Sequence, residues 1–96
     1  MVMVIVRHKF KDFNAFCIRV VEWDYSKKGY KHIRTYWSLP VKNEAWCIWD
    51  IANSKAIADF EKEFSEALGD AGTAEATWVT EFTPKTYPPF QYVPKK

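Results

Sequence analysis

Cysteine, histidine and glycine are scarce in this chain of 96 residues, with two, two and three copies. Two cysteines, Cys17 and Cys47, cannot build a disulfide scaffold, and two histidines, His8 and His32, give no zinc-finger spacing. Long apolar runs are missing as well. The longest is residues 1–6, against the ~20 apolar residues that cross a bilayer and the longer apolar stretch and small-residue cleavage site of a signal peptide. The expectation is a cytoplasmic domain, off the membrane, with reduced thiols. No phosphate-binding loop, dinucleotide fingerprint or set of metal ligands stands in the sequence, so no cofactor and no metal are expected.

Aromatic residues are abundant: five Trp, five Tyr and seven Phe. Each buries roughly 150–250 Å², so a core of this size needs only some of them, and the rest are expected in a pocket or an interface. Charge is unevenly placed. Residues 1–50 hold nine Lys/Arg and five Asp/Glu (net +4), residues 51–84 hold two and seven (net −5), and residues 85–96 add three lysines. Opposite signs on two parts of one domain favour self-association over a polyanion partner, which selects one strongly basic stripe. A homodimer is therefore expected, and nucleic acid is disfavoured.

Residues 2–10 are rich in β-branched side chains and read as a strand. Asp12 is a helix N-cap, and Phe13, Phe16, Cys17 and Val20 recur at helical spacing, predicting a helix over 13–27 with Gly29 as its C-cap. Residues 31–38 and 44–52 read as strands around a turn at Pro40 and Asn43. Asn53-Ser54 caps a second helix whose apolar face is Ile57, Phe60, Phe64 and Leu68, and 75–83 reads as a fourth strand. The order β-α-β-β-α-β predicts a ferredoxin-like α+β domain over 1–84 with a four-stranded antiparallel sheet in the order 4-1-3-2. Residues 85–96 carry three prolines (Pro88, Pro89, Pro94) and predict an extended tail lying over the pocket mouth or a partner subunit. Trp46 and Ile48 alternate with Cys47, Trp49 and Ile51 in the third strand. Both faces of the sheet should therefore be covered, one by helices and one by a second copy.

The segment Val6-Arg7-His8-Lys9-Phe10-Lys11-Asp12-Phe13-Asn14-Ala15-Phe16 resembles the opening of small dimeric α/β-barrel proteins of the antibiotic-biosynthesis-monooxygenase type. Gly29-Tyr30-Lys31-His32-Ile33-Arg34-Thr35-Tyr36 is similar to the segment after their first helix, and Asn43-Glu44 and Asn53-Ser54 fit the same pattern. The resemblance implies a homodimer of facing sheets, with a pocket for a small hydrophobic or aromatic ligand between sheet and helices. It also implies cofactor-independent oxygenation or cyclisation as a candidate activity. Haem degradation is disfavoured, because that branch uses a first-strand Asn and a second-helix His that this chain lacks.

His8 is the candidate catalytic residue. It shares a parity with Val4, Val6 and Phe10, which makes it either a partly exposed or hydrogen-bonded structural histidine or a general acid/base, a proton shuttle toward a ligand. If the registers follow the turn lengths, Trp78, His8, Trp46 and Trp37 form one aromatic row, with Tyr36 and Asp50 as further ligand-binding candidates. Each Trp has core packing as its alternative, and Asp50 a surface or capping role. Cys17 and Cys47 have no base beside them in sequence and read as packing. Two other readings stand beside the ligand-binding one. A non-catalytic dimeric domain fits the missing motif. An RNA-recognition motif has the same element order, and residues 42–49 align in part with its octapeptide, although Asn43 and Glu44 depart from it.

Overall fold

The structure is a computed structural model and describes residues 2–80. Strand β1 (Val2–Lys9) is followed by helix α1 (Phe13–Glu22), β2 (Lys31–Trp37), β3 (Glu44–Ile51), α2 (Ile57–Leu68) and β4 (Glu75–Val79). The four strands form one antiparallel sheet in the order β2-β3-β1-β4. This is the expected α+β arrangement, compatible with a ferredoxin-like fold. Residues 81–83 of the expected fourth strand and the Pro-rich segment 85–96, with the placement expected for it, lie outside the described residues.

Local chemistry sets the element ends. The Asp12 carboxylate accepts the Asn14 N–H at 3.0 Å and starts α1, satisfying one of the free donors of the first turn. The helix stops at Glu22, five residues before the expected end. Trp23 leaves the helical conformation so that its indole packs on Phe64 at 4.6 Å and on Trp49 at 5.9 Å. The chain then makes a short 3₁₀ turn, Tyr25–Lys28, and Gly29 at φ +81° closes that turn rather than the helix. Asn53 caps the entry to α2 through the Ala56 N–H at 3.1 Å.

The alternation of β3 decides the layers. Ala45, Cys47, Trp49 and Ile51 are buried, and Glu44, Trp46, Ile48 and Asp50 are only partly so. The buried set joins Val4 and Val6 of β1, Phe16 of α1, and Ile57, Phe60, Phe64 and Leu68 of α2 in one core. Trp49 sits at its centre, in edge-on contact with Phe60 (5.1 Å) and Phe64 (5.4 Å), a preferred aromatic geometry. Among the described residues no element covers the other face of the sheet, which presents Met3, Ile5, Arg7, Tyr36, Trp46 and Ile48.

Phe64 touches Trp23, Trp49, Phe60 and His8 at once. Phe64→Ala is expected to lower the unfolding free energy by about 3–5 kcal/mol, read from the urea midpoint at unchanged slope. A loss under about 1 kcal/mol would show that the ring is not part of the core.

Candidate functional site

The pairing of β1 with β3 reorganises the aromatic row expected around His8. His8 stands opposite Ala45, and Arg7 stands opposite Trp46. Trp46 therefore lies on the face of the sheet away from His8, together with Tyr36, its partner in β2. A one-residue difference in register is enough, since neighbours along a strand face opposite ways. Trp37 pairs with Ala45 and shares the His8 side, with Ala45 between them. Trp78 pairs with Val4, also on that side but four residues along β1, and is 61% exposed. Asp50 pairs with Met3 and Lys31 on the uncovered face. The four residues of the row thus do not form one wall.

His8 is fully buried, lodged between the rings of Phe64 (4.6 Å) and Phe16 (4.9 Å). Its Nδ1 lies 2.8 Å from the Thr73 carbonyl, while Nε2 is buried without a partner among the described residues. The carbonyl only accepts, so Nδ1 carries the proton and the neutral ring leaves a bare acceptor in the core. Desolvation pushes the imidazole down from 6.5 to about 4, opposed in part by the bond to Thr73. In this position the side chain braces Phe16 and ties β1 to the α2–β4 connection.

A groove opens instead between α1 and the β2 edge of the sheet. It has a volume of about 350 Å³ and is lined by Phe13, Phe16, Cys17, Val20 and Val21 from the helix and Thr35, Trp37 and Cys47 from the strands. That volume falls in the usual range for small-molecule pockets, roughly 300–1,000 Å³. Trp37 closes one end. Its ring stacks on Phe13 at 4.0 Å and 13°, and its Nε1 donates to the Lys42 carbonyl at 2.8 Å. Two contacts fix the indole although it is 42% exposed. The floor is polar at one point, where Thr35 Oγ1 lies 3.2 Å from Cys47 Sγ and 2.7 Å from His32 Nε2. Burial raises the proton affinity of both the Cys17 and Cys47 thiols. A larger hollow of about 410 Å³ is lined by residues 69–73, Lys9, Phe10, Lys11 and Asn43, with Phe10 as its one aromatic ring.

Of the catalytic and ligand-binding candidates named from sequence (His8, Tyr36, Trp37, Trp46, Asp50 and Trp78), Trp37 alone lines the aromatic groove. Phe13, Phe16, Cys17 and Val20 carried a signal, the helical spacing that aims them at the sheet. Cys47 carried the parity it shares with Trp49 and Ile51, and Thr35 carried no signal; the two pair in the regular register that runs from the β2–β3 turn. Comparison with protein-family models, with curated proteins and with solved structures finds no match.

The buried neutral His8 has a definite consequence for acid stability. The unfolded chain binds a proton near 6.5 and the folded chain only near 4, so stability from this group is complete above 6.5 and is lost as pH falls toward 4. The loss reaches about 3 kcal/mol at most, since each tenfold change in proton affinity is worth ~1.4 kcal/mol. Urea unfolding at stepped pH is expected to show this slope in the native protein and a shallower one in His8→Met. Equal slopes in both would mean that His8 is not the group responsible.

Proposed function

We propose that the protein binds a small planar aromatic or quinone-like molecule in the groove between α1 and β2, as a homodimer joined through the uncovered face of its sheet. The observation that carries the ligand reading is the groove itself. It is an apolar slot with a pinned Trp37–Phe13 stack at one end and a single polar spot, Thr35 with Cys47, on its floor. A flat ring system gains both by stacking and by area on such walls. The Thr35 hydroxyl and the Cys47 thiol make the one polar spot that a ligand oxygen would face. The resemblance to the antibiotic-biosynthesis-monooxygenase type points to the same region, between sheet and helices, and supports oxygenation or cyclisation without a cofactor as the reaction class.

The dimer reading rests on the chemistry of the other face. Met3, Ile5, Trp46 and Ile48 make an apolar centre, flanked by charges of both signs, including the Arg7–Glu44 pair at 2.6 Å and the Lys31 and Asp50 positions opposite each other. An apolar centre with a mixed-charge rim suits a second copy of the same surface. The same face gives one observation to the RNA reading, because Trp46 and Tyr36 sit side by side there near Arg34. Stacking platforms on an open sheet are how such motifs take unpaired bases. Asn43 and Glu44 still break the octapeptide, and the dimer is the reading we adopt.

Two measurements test the ligand groove and the dimer. Titration of bicyclic aromatics and naphthoquinones is expected to quench tryptophan fluorescence in the native protein, and Trp37→Ala should weaken binding at least about tenfold, the scale of one lost aromatic stack with its area. Equal affinity in Trp37→Ala, with loss in Trp46→Ala, would move the site to the other face. Sedimentation at micromolar concentration is expected to give twice the 11.3 kDa chain mass, and Ile5→Asp should give the monomer. A native monomer that shifts oligouridylate in a gel would replace the dimer reading by the RNA one.

A further inference from the structure

We propose that Cys47 is a nucleophile that captures a planar electrophile of the quinone or enone class in this groove, its proton leaving through Thr35 to His32. The proposal rests on the groove reading and names the chemistry of its floor.

Three features of the chain converge on this sulfur. The first is a continuous hydrogen-bonded path. Cys47 Sγ is 3.2 Å from Thr35 Oγ1, which is 2.7 Å from His32 Nε2. When neutral His32 carries its proton on Nδ1, the Thr35 hydroxyl donates to Nε2 and the thiol donates to Thr35. The path then runs from the buried thiol to a half-exposed imidazole on an edge strand. This is the arrangement that activates a weak nucleophile through an adjacent base.

The second feature is its local cause. Residues three apart in a regular strand face opposite sides of a sheet. Here Ile33 is an extra residue between the His32–Trp49 and Arg34–Ile48 pairs, so His32 and Thr35 both face the helices. A bulge redirects a side chain in this way at the cost of one ladder position. Without it His32 and Thr35 could not meet.

The third is a donor in waiting. Trp49 is fully buried, two residues from Cys47 on the same side of β3, and its Nε1–H has no hydrogen-bond partner among the described residues. Buried indole N–H groups normally have one. This N–H and the Thr35 hydroxyl are the two side-chain groups that favour a thiolate at Cys47. Burial keeps the resting sulfur protonated, so the negative charge forms only as the proton departs, and the indole then gains its partner.

The addition balances without a further reagent. Sγ bonds to the β-carbon of the electrophile, the C=C π bond breaks, and its electron pair moves to the carbonyl oxygen. The thiol proton passes to Thr35 as the Thr35 proton passes to His32. The imidazolium releases one proton to solvent and the enolate takes one up, so the product is the sum of thiol and electrophile. Cys17 lines the same groove but has no hydrogen-bonded base among the described residues, which makes it an internal control.

The test uses the full chain and N-phenylmaleimide, an aromatic enone-type electrophile, followed by intact mass and peptide mapping. At neutral pH the expected result is one adduct per chain, mapped to Cys47 and not to Cys17. Thr35→Val and His32→Gln should each slow it about tenfold or more, the low end of what a positioned base supplies. His32 is faced by Tyr25 from the 3₁₀ turn and by Trp49 from β3, with Thr35 and the Arg34 carbonyl from its own strand, and burial pulls its proton affinity down. No carboxylate is among its hydrogen-bond or ion-pair partners in the described residues. The rate is therefore expected to level off at or below the ordinary histidine value of about 6.5. In both variants it should instead keep rising into the alkaline thiol range. Adduct on Cys17 alone, or Cys47 labelling with the same rate and pH profile in both variants, overturns the proposal. The saturated analogue N-phenylsuccinimide, titrated by tryptophan fluorescence, separates the two readings. Saturable binding with an inert Cys47 overturns the nucleophile and leaves the groove, while no binding and no adduct overturns both.

Discussion

The register between β1 and β3 is the constraint on which the rest of the molecule depends. Val6 opposite Cys47 and His8 opposite Ala45 put the odd-numbered residues of β3 under the helices and the even-numbered ones on the other face. Because side chains alternate along a strand, no partial change is available; a slip by one residue would exchange both sets. The register therefore fixes Trp49 as the centre of the core and Cys47 as the floor of the groove. It also gives Trp46 to the uncovered face. Phe60 and Phe64 of α2 close over Trp49 from above, and Trp23 enters the same cluster by ending α1 early.

Helix-facing positions were legible in the sequence because their spacing has no competing solution. Phe13, Phe16, Cys17 and Val20 can share a face only in a helix, and Ile57, Phe60, Phe64 and Leu68 likewise. Asp12 and Asn53 marked the starts because a short acceptor side chain there satisfies a free N–H. The sheet order followed from the element order and from the handedness of the crossovers. The end of α1 did not follow. Residues 23–27 are helix-compatible one by one, and only the packing of Trp23 against Phe64 and Trp49 pulls the chain away.

The site was less legible for a related reason. Strand parity tells which residues travel together, but the relation between strands is set by turns and bulges that single residues do not announce. Trp46 and His8 were each correctly placed within their own strand pattern, and a shift of one pair separates them. Ile33 reads as an ordinary strand residue. As a bulge it turns His32 and Thr35 toward the same side, and a path to Cys47 exists only for that reason. His8, by contrast, was marked by its apolar parity, and the buried position bears out the apolar surroundings. Its Thr73 bond and its enclosure by Phe16 and Phe64 make it a brace of the core.

In the proposed function a ligand enters on the helix side of the sheet, at its β2 edge. The five tryptophans are natural reporters, because they are distributed over the two faces, the core and the groove. The most direct measurement is the set of indole ¹⁵N–¹H resonances during titration with 1,4-naphthoquinone. The account predicts a saturable shift of the Trp37 resonance, with Trp46 and Trp78 unmoved. A shift confined to Trp46, or no saturable shift at Trp37, would contradict it.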